Sequence, residues 1–422
     1  MFDVIAVVAI GLVGFLAYLL FFERGPRYAI PDPNGLAEAK DQLARWSTVL
    51  SQPISALRHW QLIQSGPDLY QHHLKLVNDA RRSVHLETYI VEPGPAQQAL
   101  FVALAARAQA GVTVRVVLDR VGSFKLRRKH LAGLRAAGVQ VKFYHPLGVH
   151  TFRRLNNRSH RNLLVIDGQR ALLGGAGIAQ FWCDAQAPWR DCLLQVQGSA
   201  VLHLQAVFAE NWLESTGEIL ADLDVFPELE EPQSTTRPAT QSIVVGSSPV
   251  AGGSSSARIL LQLVIATARN SIDLCTPYFI PDRGVRQALI EAARRGVQVR
   301  VLTSGPYSDQ LLARRAGRRR YGPLLGNGVE IYEYRDHMMH VKSLVIDGQY
   351  VVLGSANVDN RSFNLNDEVN VVVDSAELAG QVNQVYEDDL SHSDQVTLQA
   401  WQQRSWIERL LASLGRGLER HD

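Results

Sequence analysis

The 422-residue sequence predicts an α/β fold built from two similar halves, preceded by a transmembrane helix. Three observations carry this. The chain resembles itself at a period of about 180 to 190 residues, with the matches in one order in both copies, as in a duplicated domain. ARRSVHLET at 80–88 returns as ARNSIDLCT at 268–276, GVTVRVVLD at 111–119 as GVQVRVLTS at 296–304, and GVQVKFYHP at 138–146 as GVEIYEYRD at 328–336. HRNLLVIDGQRALLGG at 160–175 returns as HVKSLVIDGQYVVLGS at 340–355. Within each copy, short apolar β-branched runs (83–90, 112–118 and 163–166) alternate with Ala/Leu/Arg-rich segments such as 97–110. That is the pattern of a sheet flanked by helices. The length, finally, exceeds what one core of about 100 to 200 residues accommodates.

Taken in chain order, Val4 to Phe22 are free of charge, enough to cross roughly 30 Å of hydrocarbon as a helix. Asp3 is the one early charge and no small-x-small cleavage site follows, which favours a retained anchor at 1–24 over a cleaved signal. Arg24, Arg27 and Lys40 follow the span while no Lys or Arg precedes it, placing the bulk of the chain on the cytoplasmic side. Residues 25–64 read as a membrane-proximal connector, 65–216 as the first half and 243–396 as the second. Between the halves, 217–242 include LDVFPELEEPQSTTRPATQ, a solvated linker by composition. In 397–422, Trp401, Ile407, Leu410, Leu411, Leu414 and Leu418 recur at helical spacing with Arg404, Arg409 and Arg416 between them. This amphipathic helix suits either a membrane interface or packing on the second half.

The formal net charge of +2 excludes a polycation, so interest in anionic partners must be local. LRRKH (126–130), RRLNNRSHR (153–161) and RRAGRRRYG (314–322) are the basic patches, read either as lipid-facing or as solvated helix faces. Cys183, Cys192 and Cys275 supply no CxxC pair and no even disulfide framework, pointing to a reducing compartment and to small core side chains.

Of thirteen histidines, His160 and His340 recur at equivalent places. Strand alternation puts His340 and Lys342 on one face where an apolar strand begins, and an imidazole beside an ammonium suits a phosphate. His337 with His340 has metal-ligand HxxH spacing on a helix, but the repeat puts His340 on a strand.

His-x-Lys-(x)4-Asp, followed by GSAN (354–357) and Glu368 in a duplicated α/β chain, resembles the phospholipase D superfamily. Through LETYIVE (86–92), RRLNNRSHR (153–161), PWRD (188–191), TPYFIPD (276–282) and GSANVDNRSFNLNDE (354–368) it is similar, more closely, to the bacterial cardiolipin synthase branch, from about residue 65 onward. The resemblance implies a pseudo-symmetric phospholipase D-like fold in which one histidine attacks the phosphodiester and the other protonates the departing alcohol. It assigns these roles to His160 and His340, phosphate donation to Lys342 and Asn357, orientation of the imidazoles to Glu368 and Asp191, and substrate contact to Asn162, Arg158 and Ser355. Asp167 and Asp347 close the two motifs and are expected to fix the turn after each strand. No metal or cofactor is implied.

The expected activity is a membrane-anchored phosphatidyltransferase of the bacterial inner membrane, making cardiolipin from phosphatidylglycerol and a second phospholipid, with phosphatidylethanolamine as a candidate donor. Hydrolysis of the same intermediate, nucleic-acid cleavage and mere lipid binding are the alternatives. The balanced charge and the apolar N-terminus speak against nucleic acid. The first half departs from the family pattern, with Asn162 in place of lysine and Gly177 in place of asparagine. Two expectations compete: Asn162→Lys, helped by Gly177→Asn, raises turnover, or Arg158 or Arg190 already supplies the missing charge.

Overall fold

The computed structural model describes residues 28–38, 40–146, 154, 156–228, 239–248 and 255–405. Its strands up to the middle of the chain are β1 (Ile54–Leu57), β2 (His59–Gln64), β3 (Ser83–Thr88), β4 (Thr113–Asp119), β5 (Gln140–Tyr144), β6 (Arg158–Ser159), β7 (Leu163–Ile166), β8 (Arg170–Gly174) and β9 (Cys192–Gln197). Those that follow are β10 (Thr240–Ser247), β11 (Ser271–Thr276), β12 (Gln298–Ser304), β13 (Glu330–Tyr334), β14 (Ser343–Ile346), β15 (Tyr350–Gly354), β16 (Asn366–Asp374) and β17 (Ser393–Gln395).

The first sheet runs β2-β9-β8-β7-β3-β4-β5, and the second contains the same path, β10-β16-β15-β14-β11-β12-β13, flanked by β1 and β17. Strand for strand the halves are duplicates. In each, crossovers that join three parallel strands carry a helix, Pro95–Gln109 in the first half and Arg283–Arg294 in the second, while the remaining strands pair antiparallel apart from β6, which pairs parallel with β16 of the other half. The central strands read as continuous apolar runs because both faces are covered, as in LLVI of β7.

Burial places the two sheets around a shared core. Val117, Leu163 and Leu194 of the first half and Val345, Val369 and Val371 of the second fall in one apolar cluster, together with Phe208 and Trp212 from the helix Ala200–Thr216 and Leu378 and Val382 from Ala376–Ser391. Each sheet's other face packs on its own crossover helices.

Two boundaries differ from the sequence reading. Residues 54–64, assigned to a connector, are strands: β2 is the edge of the first sheet, pairing with β9, and β1 adds to the second sheet through β10. The segment 240–242, assigned to the linker, already belongs to β10. The repeat therefore begins at β2, and its partner is β10. The expected anchor at 1–24, residues 229–238 of the linker and residues 406–422 lie outside the described residues; among the described ones no helix is long and apolar enough to cross a membrane. Within the C-terminal segment, Trp401 packs on Gly322 and donates to the Arg318 carbonyl at 2.6 Å, so this part of it docks on the second half.

Asp167 and Asp347 take up left-handed conformations, φ +54° and +53°, in the turns after β7 and β14. Asp347 accepts from the amides of Arg269, Asn270 and Ser271, and Asp167 from those of Arg81, Arg82 and Ser83, tying each turn to the start of β11 or β3. Asp347→Ala strands these donors and is expected to cost about 3 kcal/mol of stability, read as a lower urea midpoint, while turnover per folded molecule is largely kept.

Candidate active site

Strand register decides where the histidines lie. Leu163 pairs with Glu87 and Ser343 with Cys275, so the residues just ahead of β7 and β14 stand beside the C-terminal ends of β3 and β11. His160 and His340 occupy those extended lead-in segments. Main-chain bonds then cross between halves: His160 N donates to Asp367 O at 2.9 Å and His340 N to Arg190 O at 2.7 Å. Gly174 pairs with Leu193 and Gly354 with Asn370, so Asp191 and Glu368, each two residues earlier, are equivalent positions of the two halves.

The side chains cross as well. His340 Nδ1 donates to Asp191 Oδ2 at 2.7 Å, and His160 Nδ1 to Glu368 Oε2 at 3.1 Å. Each imidazole is thus oriented by a fully buried carboxylate of the other half. A bond fixed at Nδ1 leaves Nε2 as the reactive nitrogen. Lys342 Nζ donates to the His340 carbonyl at 2.8 Å and lies 3.2 Å from His340 Nε2. Asn357 is buried, its Oδ1 has no partner, and it shares with Lys342 the lining of a cavity of about 40 Å³. Ser355 Oγ donates to Glu368.

Burial and the neighbouring Lys342 ammonium push the His340 imidazole below its usual range, with Asp191 pulling the other way. Burial raises the Glu368 carboxyl, but the His160 charge and the donors around it prevail and hold it below its ordinary value. Lys342 is pushed down to about 8 by burial, against the charges of Asp191 and Glu368. Its ammonium is present below that pH and neutral above it. If it carries the cation for an anionic diester, kcat/KM in the free enzyme should fall as pH rises through about 8, and Lys342→Arg, whose charge persists, should lack this limb in its residual activity.

Other predicted residues have different employment. Asn162 accepts from Thr88 Oγ1 at 2.9 Å and from Tyr89 N at 3.2 Å, and donates to Gly175 O at 2.9 Å, which pins the lead-in of β7. A Cβ on Gly177 would sit 2.5 Å from the Ile90 carbonyl, so Gly177→Asn meets main chain, contrary to the expected gain. Arg158 is buried against the carbonyls of Asn157, His145 and Arg154 and lies 3.7 Å from Asp119. Arg190 points at Asp389, 2.6 Å away. Arg158 spends its bonds on these carbonyls, whereas Arg190 Nη2 is buried without a partner. Asp167 and Asp347 lie at the far ends of β7 and β14, away from the imidazoles.

Four aromatic walls carry no role in the sequence reading. Tyr89 lies edge-on to His160 with ring centroids 5.2 Å apart, and Trp182 and Trp189 each stand 5.6 Å from His340. Tyr278 donates to Asp309 at 2.7 Å, and the Asp309 charge bears on Lys342. Tyr89, Tyr278 and Trp189 fall in segments that carry the family likeness; Trp182 has no such signal.

The phospholipase D-like domain described as cardiolipin synthase matches residues 74–212 and 261–390, one match per half. The chain belongs to this family. It is 33% identical to the minor cardiolipin synthase of Bacillus subtilis over 85% of this chain and 88% of that one. It is 31% identical to the cardiolipin synthase of Alkalihalophilus pseudofirmus over 97% of this chain and 86% of that one. Among solved structures, phosphatidylserine synthase of Haemophilus influenzae superposes with a TM-score of 0.69 at 13% identity, covering 89% of this chain and 97% of its own, a likeness of fold. The two family matches begin well after β2 and β10, so the strands that start each repeat lie outside them.

Proposed function

We propose that the chain is a membrane-anchored phosphatidyltransferase that makes cardiolipin, taking a phosphatidyl group from phosphatidylglycerol, or from a second phospholipid such as phosphatidylethanolamine, onto a histidine. The observation that supports this most is the crossed pair Asp191–His340 and Glu368–His160, which joins two pre-oriented imidazoles over one buried ammonium. One imidazole Nε2 attacks phosphorus, and the P–O bond to the departing headgroup breaks as that oxygen takes a proton from the other histidine. The glycerol hydroxyl of a phosphatidylglycerol then returns a proton to that histidine and attacks the phosphohistidine, releasing the first imidazole and closing the new diester. Lys342 and Asn357 hold the non-bridging oxygens. Trp182 and Trp189 beside His340 favour a lipid hydroxyl over water as acceptor.

The apolar run Val4 to Phe22 is proposed as the anchor, with the catalytic halves in the cytoplasm. Removing residues 1–24 should shift the chain from a carbonate-resistant to a salt-extractable membrane fraction; a full-length chain washed off by salt alone would contradict the anchor. Activity is tested by giving the purified full-length chain to phosphatidylglycerol vesicles and weighing the products by mass spectrometry. Cardiolipin with glycerol is the expected pair. Phosphatidic acid alone would make the chain a hydrolase, and unchanged lipid would defeat the proposal.

A further inference from the structure

Two loops leave the histidine-bearing edge of the sheets at equivalent places, 120–127 after β4 and 305–310 after β12. Each is rooted against the site. Gly122 lies so close to the Tyr89 carbonyl that an added Cβ would stand 2.1 Å from it, and the Tyr89 ring lies against His160. In the second loop Asp309 holds Tyr278 and its charge reaches Lys342.

The outer parts of these loops, and the first turn of the helix Leu311–Arg319, are apolar. Phe124 is 67% exposed, Tyr307 61%, Leu312 52% and Leu311 51%, with Val121 exposed beside them. Single exposed apolar side chains are ordinary, but a cluster at one functional mouth marks a surface that leaves water. The sequence flanking the tips is basic, although Lys125 pairs with Glu92, Asp309 holds Tyr278, Arg158 and Arg161 are buried, and Arg314 and Arg318 pair with Glu333. Residues 120–166 contain eleven Lys and Arg and no Asp or Glu, and residues 310–329 contain five Arg and no acid, in a chain whose net charge is +2. Arg127, Arg128 and Lys129 are exposed immediately after Phe124. Apolar tips flanked by cations fit the boundary between headgroups and acyl chains of an anionic bilayer. The pseudo-symmetry of the halves sets one such loop against each histidine, so a surface laid across the mouth meets both.

We infer that these two loops dock on an anionic phospholipid bilayer and hold the mouth of the site at headgroup level, Phe124, Tyr307, Leu311 and Leu312 entering the interface. The inference rests on the proposed reaction for its substrate and is separate from the N-terminal anchor. The test uses the full-length chain in vesicles and the combined variant Phe124→Ser, Leu311→Ser and Leu312→Ser. Val102→Ser is the control, on the helix Pro95–Gln109 and 70% exposed. On bilayer phosphatidylglycerol the combined variant should be at least tenfold slower. On monomeric short-chain phosphatidylglycerol, offered to the chain in phosphatidylcholine vesicles, it should stay within twofold, and the control should be unchanged on both. Equal losses on both substrates, no loss on either, or the same loss in the control would overturn the docking surface. A second reading does not depend on turnover: Phe124→Trp should add fluorescence that lipids brominated in their acyl chains quench. An unmodified chain inactive on both substrates would refute the reaction while this measurement still judges the loops. If brominated lipids leave the fluorescence added by Phe124→Trp intact, the patch belongs to something other than a bilayer.

Discussion

Alanine in place of either His160 or His340 should reduce phosphatidyl transfer by roughly four orders of magnitude or more, because a displacement split between two imidazoles leaves neither half competent alone. Initial rates of cardiolipin formation in phosphatidylglycerol vesicles provide the measure. The crossed carboxylates extend this expectation to residues that touch no substrate. Asp191→Asn and Glu368→Gln keep shape and lose the charge that holds each imidazole in one tautomer, and should cost roughly 10²- to 10⁴-fold. Their effects should also cross the seam, Asp191→Asn damaging the step that His340 performs although Asp191 belongs to the first half. Near-normal product from His160→Ala would reduce the first half to a scaffold.

Lys342→Ala should lower kcat by roughly 10²- to 10³-fold, the loss typical of one donor aimed at developing charge. Asn162→Ala should be far milder on the chemistry and act through stability, since Asn162 spends its oxygen on Thr88 and Tyr89 and its nitrogen on Gly175. The same geometry reverses the simplest expectation about the asymmetric motif. Asn162→Lys would put an ammonium among groups satisfied by an amide, at a cost of several kcal/mol, and should lower the yield of folded protein rather than raise turnover. Thermal melts separate the cases: Lys342→Ala with a near-normal Tm and little activity, Asn162→Lys with a depressed Tm.

The duplication was legible because β3, β4 and β7 are central strands whose apolar runs repeat in β11, β12 and β14. β2 was not legible. HWQLIQ is an edge strand with only Ile63 buried, so its sequence lacks the apolar signature and its partner β9 lies more than a hundred residues away. β1, four residues long, gains strand character from pairing with β10 in the other half, a contact no local pattern encodes. The histidines, Lys342, Asn357 and the two carboxylates could be named from their motifs, and the structure brings them together. What the motifs lacked was the employment of the neighbours. Asn162 looks like a weakened lysine until Thr88 and Gly175 are seen around it, and Arg158 looks like a spare cation until the carbonyls that surround it are counted. Trp182 was invisible for a related reason: its role comes from standing over His340, which is contributed from across the seam.

The central claim is a phosphatidyl group passing through one of two histidines held by crossed carboxylates, and rapid acid quench with labelled phosphatidylglycerol tests it most directly. The account predicts a covalent adduct that forms within one turnover, is acid-labile and base-stable as a phosphohistidine is, maps to a peptide containing His160 or His340, and is absent when that histidine is alanine. Turnover with no trapped adduct under conditions that quench faster than the chemistry, or an adduct on any residue other than these two, would contradict it.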